Sequence, residues 1–234
     1  MFIARSLIIA GVSAVALAGC AGGGEEFEPP APTLSIANLS PAAQLEAAIT
    51  AGDLPEVENL LDAGVDVNVE LDSSTTPLHL AASLGDTEAI VVLVDAGASV
   101  DARANGGTTP LMYAAAKADA ATIAALLDAG ADPTLGDTGF DGMTALSHAA
   151  RNGNHDTVQA LADFGVDLDQ REPGRRTALI NAAIADHPDA VRLLIELGAD
   201  PYSVDLADTT AHTWAVYHGN DDVLAVLAEL GIDH

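Results

Sequence analysis

Cysteine occurs once in the 234 residues, at Cys20. That excludes an internal disulfide framework and any zinc site built from several thiolates. Aromatic side chains are 3% of the chain, which disfavours a core of bulky rings and suits close helix-on-helix packing through alanine. Lysine and arginine number 8 against 35 acidic residues, for a formal net charge of -27. Nucleic acid needs cationic side chains to replace its counterions, so it is disfavoured as a partner. A protein with a basic surface is compatible, because a negative field speeds its encounter. The sequence also lacks the local patterns of common chemistries: Gly-x-Ser-x-Gly, a glycine loop followed by Gly-Lys-Ser/Thr, His-Glu-x-x-His and His-x-x-x-His. Among the seven histidines, His148 and His155 fall on different helices of one repeat, and His212 and His218 straddle one helix. No catalytic residue, cofactor or metal site is expected.

What is present begins with Met1 to Ala18, where Arg5 precedes a short apolar stretch, Leu7 to Leu17, too short to span a bilayer. Leu17-Ala18-Gly19-Cys20 resembles the lipobox of bacterial lipoproteins. The resemblance implies cleavage before Cys20, acylation of that residue, and a signal peptide over 1–19. Ala21 stands where an aspartate favours retention in the inner membrane, which implies the outer membrane, facing the periplasm. Residues 20–39 combine glycines, glutamates and prolines with little periodicity and read as a disordered tether. Ser40-Pro41 then opens a helix as N-cap and first helical residue.

From there the chain is periodic. Thr76-Pro77-Leu78-His79-Leu80-Ala81-Ala82 recurs with drift from Thr109, Thr144, Thr177 and Thr210, at spacings of 33, 35, 33 and 33 residues. A second pattern, two leucine-type positions followed by Gly-Ala-Asp, appears complete at Ile123 to Asp132 and in variant form in five other places. Such a period means stacked units rather than one globular core. Threonine before proline caps the first helix of each unit, and Val/Ile-x-x-Leu-Leu lays three apolar groups on one face of the second. Gly52, Gly85, Gly153 and Gly219 fall between the two helices, with Ala118 and Asp186 in that place in the third and fifth units, where the turn is expected to be slightly strained or differently shaped.

These signatures resemble ankyrin repeats over residues 40–234. The resemblance implies an all-α solenoid of about six helix-turn-helix units with short β-hairpin fingers, the first and last units acting as caps, with Trp214 and Tyr217 packing in the last. The fingers centre on residues 68–74, 101–107, 133–142, 169–176 and 201–208. It also implies a non-enzymatic monomer that binds a protein through its concave face. The third finger carries two extra residues and displays Phe140 beside Asp137 and Asp141; the fourth carries Arg171, Arg175 and Arg176. These six, with Arg103, Asn105, Tyr202 and Asp205 on neighbouring fingers, are the candidate partner contacts. Asp66-Val67-Asn68 and Asp167-Leu168-Asp169 suggest calcium only superficially, since they lack the twelve-residue loop and its terminal glutamate. A chaperone-like or protective factor, an immunity protein against a basic toxin, and a structural envelope spacer without a specific partner all fit this reading.

Overall fold

The computed structural model describes residues 39–117, 120–139 and 142–233. Cys20, the lipobox, the tether as far as Asn38, Ala118, Phe140 and Asp141 lie outside the described residues. Six helix pairs follow one another. They are α1 (Pro41–Ala51) with α2 (Leu54–Asp62), α3 (Pro77–Leu84) with α4 (Thr87–Asp95), and α5 (Pro110–Ala115) with α6 (Ala120–Asp128). Then come α7 (Ala145–Arg151) with α8 (His155–Asp163), α9 (Ala178–Ile184) with α10 (Pro188–Glu196), and α11 (Ala211–His218) with α12 (Asp221–Glu229). Each odd helix packs on the next odd helix and each even helix on the next even one, so the array has two layers.

Local chemistry sets the boundaries. Ser40 Oγ accepts from Ala43 N–H, and the threonines at 109, 144, 177 and 210 accept from the N–H three residues on at 3.2–3.4 Å. In the second unit His79 completes the cap: its Nδ1 accepts from Thr76 N–H at 3.1 Å and its Nε2 donates to Thr108 O at 3.0 Å. Burial holds its pKa below the usual imidazole value, against an upward pull from the Thr108 and Ala102 carbonyls. The histidine of the signature is therefore a neutral strut between two repeats.

Gly85 ends α3 at φ 74°. Asp186 does the same work in the fifth unit at φ 60°, a left-handed conformation that costs a residue with a Cβ more than glycine. The core is small and continuous: Ala81, Ala82, Ala114, Ala115, Ala149, Ala150, Ala182 and Ala183 are all fully buried between the odd helices. Leu93, Leu126, Leu161, Leu194 and Leu227 are likewise buried in the even layer. Paired alanines let successive inner helices approach closely, while leucine fills the gap between layers.

The aspartate that closes Gly-Ala-Asp makes a local turn. Asp66, Asp132, Asp167 and Asp200 each accept from the N–H two residues on, at 2.8–3.0 Å. The next polar residue reaches the following repeat: Asn68 accepts from Ser99 N–H, Asp101 from Asp132 N–H and Asp169 from Asp200 N–H, at 2.7–3.0 Å. Of the acids that superficially suggested calcium, Asp66 and Asp167 thus close local turns and Asp169 is a rung between repeats. The described residues contain no group of three or more His, Cys, Asp or Glu that could hold a metal ion, and no helix long and apolar enough to cross a membrane.

Candidate protein-binding face

The fingers are tighter than hairpins. Each is closed by a backbone hydrogen bond across its base: Leu71 N–H to Thr75 O, Ala104 to Thr108, Glu172 to Arg176 and Asp205 to Thr209 at 2.7–3.2 Å, and Asp137 to Met143 at 3.0 Å across the two extra residues. Among the described residues one isolated antiparallel bridge, Gly136 with Thr144, is the whole of the β-structure. Three residues separate most closing positions. The residue before the closing carbonyl is left-handed in all five fingers, at Ser74, Gly107, Gly142, Arg175 and Asp208.

The first residue of each closure faces a fixed position on the helix that follows, four residues beyond the capping threonine. In the first finger both are apolar, Leu71 and Leu80, which line one cleft. In the last three fingers the pair is a carboxylate and a donor. Asp137 takes Nε2 of His148 at 3.1 Å, Glu172 takes the Asn181 amide at 3.1 Å, and Asp205 takes the Trp214 indole N–H at 2.9 Å. Asp137 also accepts from Gly139 and Met143 N–H, and Asp205 from Ala207 and Thr209 N–H. Burial holds the His148 pKa below its ordinary value, with Asp137 pulling it back up.

This geometry redistributes the candidate contacts. Asp205 is 4% exposed and the Asp137 side chain 12%; both carboxylates are consumed inside the fold rather than displayed. Arg103 donates to Gly107 O and to Gly136 O on the next finger at 3.0 Å. Arg171 occupies the same repeat position and donates to Val204 O at 3.4 Å, so both arginines fasten one finger to its neighbour. Asn105, Arg175 and Tyr202 are exposed. The guanidinium of Arg176 lies over the Trp214 ring, 5.2 Å from its centre.

Sequence reasoning missed Leu206. It is 69% exposed, and it shares with Trp214, Arg176, Pro173 and Ala207 an open groove of about 440 Å³ between the fourth and fifth fingers. Tyr217 was expected to pack as part of the terminal cap; it is instead 78% exposed, its ring edge-on to Trp214 at 5.8 Å. It sits on the open side of a helix that has no further repeat beyond it among the described residues. Trp214, Tyr217, Leu206 and Tyr202 therefore put three of the chain's eight aromatics at one end of the finger row.

Stacked helix pairs with a row of short fingers along one layer define a repeat solenoid of the protein-binding class. A family model for ankyrin repeats, three copies, matches residues 45–137 and again 115–205, and the chain belongs to that family. It is similar in structure to the ankyrin repeat domain of Bcl-3, a member of the IκB protein family, with TM-score 0.73 and 29% identity over 84% of this chain and 88% of that one. The human ASB11 ankyrin repeat domain gives TM-score 0.70 and 28% identity over 80% of this chain and 83% of that one. A chain of the complex between the Bd0816 predatory endopeptidase of Bdellovibrio bacteriovorus and immunity protein Bd3460 gives 0.67 and 27% over 79% and 96%. No curated protein sequence matches. Ankyrin arrays are typically non-catalytic binding modules.

Proposed function

We propose that this chain is a lipid-anchored binding module of the bacterial cell envelope, acylated at Cys20, facing the periplasm from the outer membrane, and engaging a protein partner through the carboxy-terminal end of its finger row. The observation that carries the site is the exposed apolar group formed by Leu206, Tyr217 and the edge of Trp214 in an otherwise alanine-packed, acidic molecule. Aromatic anchors at the centre of a patch supply most of the affinity in protein interfaces, while surrounding polar contacts exclude water. Arg175, Arg176 and Tyr202 supply that polar surround, and Asn105 and Phe140 belong to the proposed contact set on sequence grounds. Similarity to a chain from an endopeptidase–immunity protein complex favours neutralisation of an envelope enzyme over a passive spacer.

The test is crosslinking in the native envelope with the wild-type chain and with Leu206→Ala/Tyr217→Ala. Both side chains project into solvent, so the fold is expected to survive and recovery of the principal crosslinked partner to drop roughly tenfold or more. Unchanged recovery would remove this patch from the interface, and the absence of any specific crosslink to the wild type would favour the spacer. A separate result is expected of Cys20→Ser: the protein moves from the membrane pellet to the soluble fraction, with unchanged circular dichroism. Its persistence in the pellet would overturn the lipid anchor.

A further inference from the structure

The finger row has a second distinctive end. Between Ser40 and Ala102 the chain holds twelve acidic residues and no lysine or arginine, so this part of the array has no internal cation to neutralise its carboxylates. Within it a cleft of about 130 Å³ opens between the first finger and the inner helices. Leu71, Leu80 and Tyr113 supply its apolar surfaces, and Glu46 from α1 and Asp72 from the finger tip supply carboxylates. Here the finger-to-helix pair is Leu71 with Leu80, whereas the last three fingers place a carboxylate bonded to His148, Asn181 or Trp214. The cleft therefore keeps two apolar walls at the position where the last three fingers carry an internal hydrogen bond. His79 lines the cleft, with both ring nitrogens spent on Thr76 and Thr108, and its ring stands edge-on to Tyr113 at 5.2 Å.

We propose that this cleft is a docking slot for one lysine or arginine side chain of a basic protein partner. Ligand-sized pockets run to ~300–1,000 Å³, so this one suits a single side chain. A long cationic side chain matches both halves of the chemistry: its methylene stem packs on Leu71, Leu80 and the Tyr113 ring, and its charged end meets Glu46 and Asp72. An apolar side chain would leave the two carboxylates to be desolvated without a counter-ion, and an anionic one would be repelled. The slot deepens the reading of the chain as a protein binder by naming the chemistry of its partner, and it lies at the opposite end of the array from Leu206 and Tyr217.

The experiment measures binding of a capped octapeptide of alternating lysine and alanine to the full chain in detergent at low salt, with the same peptide carrying norleucine for lysine. Three proteins are compared: wild type, Glu46→Gln/Asp72→Asn, and Glu58→Gln/Asp62→Asn. The last removes the same charge from a shallow cleft of α2 and α4. The expected result is at least tenfold weaker binding for the first pair, under twofold for the second, no binding of the norleucine peptide, and amide shifts at Leu80 and Tyr113 on adding the lysine peptide. Equal weakening by both pairs would reduce the attraction to bulk charge and overturn the slot. Tight norleucine binding, or no binding of the lysine peptide to wild type, would overturn it as well. Envelope crosslinking through the Leu206 and Tyr217 patch is scored separately, so failure of the slot and failure of the binder reading are distinguishable.

Discussion

Leu161→Ala is expected to lower the unfolding free energy by roughly 2–5 kcal/mol, the range for deleting a buried leucine that leaves a cavity. Leu161 is 0% exposed, and its helix α8 packs against α6, α7 and α10, so no single neighbour can relax into the space. Its place in the array adds a second effect. Each repeat of a solenoid is stabilised mainly by the repeats on either side, and a weak unit in the middle uncouples the two ends. The single tryptophan, Trp214, lies in the last repeat, so its fluorescence reports the carboxy-terminal end while circular dichroism reports all six helix pairs. In urea the two transitions coincide for the wild type and separate in Leu161→Ala. Coincident transitions with a loss under about 1 kcal/mol would mean that the array folds as one unit despite its repeat architecture.

Much of this was legible in the sequence because a repeat writes each physical requirement several times. Thr109, Thr144, Thr177 and Thr210 cap helices as their positions imply, and Asp186 takes the left-handed turn conformation expected where glycine is missing. Side-chain direction on the fingers was not legible. Asp137 and Asp205 look like surface acids in a chain full of them, and only the folded chain shows them bonded to His148 and Trp214. A signal did exist: acid and donor are nine residues apart in the fourth and fifth fingers and eleven in the lengthened third. That spacing acquires meaning only once the finger is known to fold back onto its own helix. Tyr217 failed for a different reason. Periodicity puts an aromatic on helix α11 but does not say whether its ring turns into the core or out to solvent.

The same finger-to-helix pairing separates the two ends of the molecule chemically. Where the pair is leucine with leucine, an open apolar cleft stands beside Glu46 and Asp72. Where the pair is a carboxylate with a donor, the finger is fastened down and its rim carries the arginines and the exposed Leu206. One structural position therefore decides whether the finger is bonded to the helix that follows it or leaves an apolar wall facing solvent.

Glu172 is the most consequential of the three carboxylates, and Glu172→Ala is expected to cost roughly 2–4 kcal/mol, since each orphaned buried group costs about 1–3 kcal/mol. The residue is 5% exposed. Its Oε1 accepts from Thr144 N–H at 3.3 Å and its Oε2 from the Asn181 amide at 3.1 Å, so it joins the cap of α7 to helix α9 of the next repeat. Alanine strands both donors where Thr144 and Asn181 are themselves 5% and 3% exposed. Glutamine keeps the volume and one acceptor oxygen but turns an amide toward the other donor, so Glu172→Gln falls between the wild type and Glu172→Ala. The order wild type, Gln, Ala in urea midpoint, with faster amide exchange at Thr144 in both variants, is the expected outcome. A Glu172→Ala midpoint equal to wild type would show that solvent replaces the carboxylate at no cost.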